Sequence, residues 1–200
     1  MRGGKMEREH ISIYNEKINE YLTERNENCS FDHVMEYVLE QTNIDEVIRV
    51  AVRSRDKTGR MHSHQRRIPK TAYGEFTEAL LQVREKLINA TNFDQIFSIV
   101  ENEANKVYGA GEMFTYDTAF RIGKWRKIYP QKIYLHAGTR EGIKGLMKGK
   151  KLNNYIQKDE LEPPFNTCIL ECWQLEDFFC INKEIFSTNG KQTKKRKGIC

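Results

Sequence analysis

The chain has no apolar run near the ~20 residues that would cross a bilayer, so no membrane span and no membrane partner are expected. Its opening stretch, MRGGKMEREH, is not followed by the apolar segment of a secretory signal. A cytoplasmic location is the expectation. Its five cysteines (Cys29, Cys168, Cys172, Cys180 and Cys200) are odd in number and scattered, which argues against a disulfide framework. No CxxC pair is present, and the Cys168/Cys172/Cys180 group has no nearby His to complete a metal site. These are read as buried free thiols, with no metal and no cofactor implied. Internal repeats are also lacking. What remains is a polar but globular composition, 38% hydrophobic and 30% charged over 200 residues, enough for one well-buried domain.

Charge is the first positive signal. Lys191, Lys194, Lys195, Arg196 and Lys197 account for the whole net charge of +5, leaving 28 basic against 28 acidic residues in the first 190. That balanced body is segregated. Residues 1–46 carry −6, 47–70 carry +7, 71–120 carry −5, 121–151 carry +9 and 152–190 carry −5. Two internal basic blocks and a basic tail against an acidic background suggest a polyanion partner. The alternative is that these blocks pair with the acidic helices inside the fold.

The apolar spacing is helical almost throughout. Residues 1–30 form either an N-terminal arm or a docked helix, with Ile11, Ile13, Tyr14, Ile18 and Tyr21 as its apolar positions. Ser30 caps a helix over Phe31, Val34, Met35, Val38 and Leu39, and Asn43 or Asp45 opens the next. A turn at 57–59 leads into a cationic loop with Arg60, His62, His64, Arg66 and Arg67. Thr71 to Ala90 reads as one long helix, Asn92 caps another through Phe93, Ile96, Phe97 and Val100, and 114–125 is a third. An extended piece near 132–136 follows. Thr139 is a plausible cap, and Gly142 and Gly145 weaken the helix behind it. Pro163-Pro164 is a stop before an apolar helix from Phe165 to Cys180. The expected fold is mainly α: a compact single-domain bundle of about seven helices over 31–186, with a disordered basic tail at 187–200.

Between two of these helices lies YGAGEMFT, in which Gly109 and Gly111 bracket an alanine and Thr115 follows four positions later. This stretch resembles the helix-hairpin-helix motif of DNA glycosylases, polymerases and recombination proteins. The resemblance covers residues ~93–125. It implies that the glycines bring the backbone close to a phosphate, whose oxygens accept hydrogen bonds from amides opening the second helix. The residues so implicated are Gly109, Gly111 and Met113, with Lys124, Arg126 and Lys127 tracking the phosphate backbone. Glu112 departs from this pattern, because a carboxylate there repels phosphate, although it can also cap the helix. The catalytic Asp of the glycosylases has no counterpart in IYLHAGTR, and their lyase-type Lys has no clear match, so a binding module is the reading favoured over a base-excision enzyme.

Three other side chains suggest chemistry. His136, beside Arg140 and with Asp117 as its orienting carboxylate, would form a pocket for a phosphorylated or nucleotide substrate. The structural alternatives are a half-buried His136 held by backbone groups and an Asp117–Arg121 helix ion pair. Trp125 and Tyr129, interleaved with lysines and Arg126, suit stacking on exposed bases or the edge of an amphipathic helix. The leading expectation is nucleic-acid binding, DNA more than RNA. An enzyme using His136, Arg140 and Asp117, and a non-catalytic interaction module, are the alternatives.

Overall fold

The computed structural model describes residues 3–27, 33–147 and 150–187. The Ser30 cap and residues 188–200 of the basic tail lie outside them. The fold is mainly helical, as expected. In chain order come α1 (Gly3–Glu27), α2 (His33–Leu39), α3 (Ile44–Arg53), a 3-10 turn (Ser63–Arg67), α4 (Lys70–Gln82), α5 (Arg84–Asn89), α6 (Phe93–Ala104) and α7 (Glu112–Trp125). After α7 follow β1 (Ile133–Tyr134), α8 (Ala137–Lys144), β2 (Tyr155–Ile156), a second 3-10 turn (Lys158–Glu160), α9 (Cys172–Ile181) and α10 (Lys183–Ser187). Backbone contacts gather these elements into two units. One holds α2 to α7, and the other combines α1 with the elements from β1 to α10.

In the α2–α7 unit the helix starts follow local rules. Asn43 sits extended before α3, and its side-chain oxygen accepts the Glu46 amide at 3.0 Å. Asn92 does the same for the Gln95 amide ahead of α6, relieving an amide with no partner inside the helix. The segment expected as one helix over Thr71–Ala90 breaks at Val83, whose φ of −111° and ψ of 14° interrupt the turn. Arg84 donates to the Leu81 carbonyl at 2.9 Å, satisfying a group that the break exposes. The α3 end is closed by the buried Arg121 of α7, which donates to the Ala51 carbonyl and, at 2.7 Å, to Ser54 Oγ. A guanidinium there complements the negative end of the helix dipole. Ile48, Phe76, Leu80, Leu87, Phe93, Ile96 and Ile122 are fully enclosed, each stabilising the unit by roughly 1.5–3 kcal/mol.

The second unit is built on aromatic packing. In α1, Ile18 and Tyr21 are buried, Tyr14 meets the rings of Phe165 and Phe186, and the Tyr21 hydroxyl donates to Asp177 at 2.8 Å. The extended piece expected near 132–136 is β1, which pairs antiparallel with β2 in the register Ile133 to Ile156. The helix expected from Phe165 starts only at Cys172. Over the intervening turns Lys158 Nζ donates to the carbonyls of Cys168 and Leu170, both at 2.7 Å, and so holds them out of a helical ladder. Gly138 and Gly142 of α8, and Gly145 at its end, face other chain segments directly. A Cβ would lie 2.6 Å from Cys180 Sγ, 2.2 Å from the Phe179 carbonyl oxygen and 2.0 Å from that of Phe186, respectively. These glycines weaken α8 as an isolated helix and allow its backbone to lie against α9 and α10.

Candidate functional site

The glycine turn occupies the link from α6 to α7. Gly109 adopts φ +91°, a conformation that disfavours any residue with a Cβ. A Cβ there would also stand 2.7 Å from Pro69 Cδ. Gly111 is extended at φ −79° and ψ 174° and serves as the N-cap of α7, and a Cβ on it would meet nothing within 4 Å. The Thr115 amide and hydroxyl both donate to the Gly111 carbonyl, at 3.0 and 3.1 Å. The amides of Glu112, Met113 and Phe114 precede the first residue that can find an acceptor inside the helix. Gly109, Gly111 and Glu112 are exposed, Met113 is half-buried, and Tyr108 is 88% exposed. The turn is therefore open.

Pro69 brings the cationic loop to this turn. That loop is anchored from beneath by Gln65, which is fully buried. Gln65 Nε2 donates to Asp117 Oδ2 at 2.7 Å and its carbonyl accepts the Tyr73 hydroxyl at 2.5 Å. Asp117 thus has a definite task, holding the loop against α7. His62 is buried beside the ring of His33, with centroids 4.6 Å apart, while the side chain of His64 lies outside the described residues. Arg60, Arg66, Arg67 and Lys70 are exposed. Two features more than 40 residues apart in sequence thus meet at one edge of the unit.

Lys124, Arg126 and Lys127 stand at the other end of α7. Its 14 residues separate them from the glycine turn by about 20 Å, so they cannot share one phosphate with it. Arg126 donates to the carbonyls of Leu87 and Ala90, a strut for the end of α5. Lys124 is half-buried. Lys127 is exposed with φ +58°, and the Lys127 and Ile128 amides return to the carbonyls of Lys124 and Gly123, a Schellman closure normally given to glycine. The Trp125 indole N–H donates to the Gln41 carbonyl at 2.9 Å, which fits the helix-edge reading of this residue.

His136 belongs to the other unit, as the N-cap of α8. Thr139, expected as that cap, is instead three residues inside the helix. Its hydroxyl lies 2.8 Å from Glu176 Oε1 and 3.1 Å from His136 Nε2, and His136 Nε2 also bonds Glu176 Oε1. All three side chains are buried. Burial pushes the Glu176 carboxyl above the usual carboxylate range, and the neighbouring imidazole and the Thr139 hydroxyl act in the opposite sense. Arg140 donates to the carbonyls of Leu135 and Asn153, both at 2.8 Å, tying α8 to β1 and the approach to β2. Glu176, not anticipated, is the carboxylate bonded to His136. The signal for it was present, since Glu176 falls on the apolar stripe of Cys172, Phe179 and Cys180 at helical spacing.

Among the described residues, no three His, Cys, Asp or Glu side chains are grouped to hold a metal ion, and no helix is long and apolar enough to cross a membrane. Comparison with family models, with curated proteins and with solved structures finds no match for this chain.

Proposed function

We propose that the α2–α7 unit binds nucleic acid through the glycine turn and the cationic loop beside it. The observation that carries this reading is the contact of Pro69 with Gly109. It brings the segment that carries the exposed Arg66, Arg67 and Lys70 to an open backbone at the start of a 14-residue helix. A phosphate at Gly111 would receive first-turn amides of α7, and the arginines would meet the flanking phosphates. Glu112 opposes this electrostatically, so the arginines carry the net attraction. The basic residues at the far end of α7 contribute less than the sequence suggests, because Arg126 is committed to Leu87 and Ala90. The contact is to phosphate and does not select a base sequence.

Fluorescence anisotropy of labelled DNA and RNA, titrated with salt, tests this in protein lacking residues 187–200, whose tail lysines would bind any polyanion. The double substitution Arg66→Glu with Arg67→Glu is expected to weaken binding by at least about tenfold. It should also flatten the log–log salt slope by roughly two. Binding that is absent without the tail, or indifferent to both arginines, contradicts the reading. The geometry gives the nucleotide-enzyme alternative less support: His136 bonds Glu176 in a buried cluster, Arg140 bonds backbone carbonyls, and Asp117 bonds Gln65.

A further inference from the structure

We infer that the nucleic acid taken at this edge is single-stranded, with an unpaired base stacked on Tyr108. The inference rests on the phosphate-binding reading above and specifies its ligand. Tyr108 is 88% exposed, the most exposed of the large hydrophobic residues described, yet its backbone is well placed. It directly precedes Gly109, which is pressed against Pro69, and the Ala110 and Gly111 amides close the turn by donating hydrogen bonds to the carbonyls of Val107 and Gly109. Val107 on its other side is buried. A largely solvated aromatic residue between a buried residue and a braced glycine contributes little to the fold. As a stacking platform it costs little to organise, because the chain beneath it is already held.

Chain connectivity supplies the second half of the argument. Tyr108 is one residue from the Gly109–Pro69 contact, and Arg67 and Lys70 are two and one residues from it on the other strand of the chain. With 3.8 Å between successive Cα atoms, the ring and the cations share a patch of one or two nucleotides. Alternation of aromatic and cation at that spacing suits a strand whose bases are free to stack. A duplex presents its phosphates to the arginines but keeps its bases paired, so Tyr108 adds nothing to duplex binding.

The test compares the full-length protein with Tyr108→Ala and Tyr108→Phe on three labelled ligands of equal phosphate number: oligo-dT, an abasic strand and a duplex. The wild-type protein and Tyr108→Phe should bind oligo-dT about tenfold tighter than the abasic strand, and tighter than duplex. Tyr108→Ala should erase that preference while retaining the abasic affinity and the melting temperature, which the exposed ring does not support. Equal binding of oligo-dT and abasic strand by the wild-type protein, still sensitive to Arg66 and Arg67, overturns stacking and leaves phosphate binding intact. Binding that is insensitive to those arginines in protein lacking residues 187–200 overturns both. A duplex preference that survives Tyr108→Ala also overturns the single-strand inference.

Discussion

Two glycine-rich stretches in this protein do opposite things. In YGAG, Gly111 faces open space and Gly109 leans on a proline ring, leaving the backbone accessible at the start of α7. In AGTREGIKG, Gly138, Gly142 and Gly145 are covered by Cys180, Phe179 and Phe186, and the missing side chains are replaced by another segment of this chain. The first set leaves backbone exposed, at the place proposed for a phosphate, and the second uses the same property to close a core. Glycine spacing alone does not separate the two cases. What separates them is where the stretch lies: a turn ahead of a helix in one, a helix face at spacings of four and three residues in the other.

The comparison can be broken hardest at Gly142. Its Cβ would enter the van der Waals shell of the Phe179 carbonyl oxygen, a backbone atom that cannot turn away. Gly142→Ala should therefore destabilise the α8–α9 packing by about 3 kcal/mol, read as a lowered midpoint in urea unfolding. Gly111→Ala, made in parallel, should move that midpoint by no more than about 0.5 kcal/mol.

A smaller effect is expected at the buried cluster that the second glycine set encloses. His136→Ala removes a group that favours the Glu176 carboxylate, at a cost of about 2 kcal/mol at neutral pH. The pH dependence follows in sign. The folded-state pKa of Glu176 is raised by burial, so its contribution to stability is fully present below the ordinary carboxylate range. That contribution is lost as pH rises through the folded value. Without the imidazole the raising is stronger, and His136→Ala should recover stability on acidification relative to the wild type. Glu176→Gln, neutral throughout and still within reach of Thr139, should flatten the curve. Urea midpoints across pH for the three proteins decide this, and parallel curves would contradict it.

The smallest effect is a gain. Lys127 holds a left-handed conformation at the end of α7 that glycine adopts without strain. Lys127→Gly should raise stability by about 1 kcal/mol and leave nucleic-acid affinity within about twofold. A large loss of affinity would return the far end of α7 to the interface.

Legibility in the sequence followed distance along the chain. The Asn92 cap was readable, and Asn43 was one of two candidates with Asp45, because donor and acceptor lie three residues apart. The apolar stripes of α3 and α6 were readable because a helix repeats its face every turn. The break at Val83 was missed, since periodicity continues through it. Partners of β1, of Arg121 and of Arg126 lie 21 to 23, 67 to 70 and 36 to 39 residues away, and no local pattern announces them. At the candidate site the glycine turn and the cationic loop were each visible. Their meeting through Pro69 was not, and neither was the commitment of Arg126 and Arg140 to backbone carbonyls. A basic residue in a sequence shows its charge but not whether a carbonyl already holds it.

The most direct measurement of the central claim is Gly111→Asp, with Gly111→Asn as its uncharged counterpart. Aspartate and asparagine are both good N-caps, and the space around Gly111 accepts either, so both variants should melt at or slightly above the wild-type temperature. Salt-titrated anisotropy in protein ending at residue 186 should then show Gly111→Asp binding single-stranded nucleic acid about tenfold more weakly, with Gly111→Asn in between. Wild-type affinity in Gly111→Asp, or a fall in affinity matched by an equal fall in stability, would contradict a phosphate at the opening of α7.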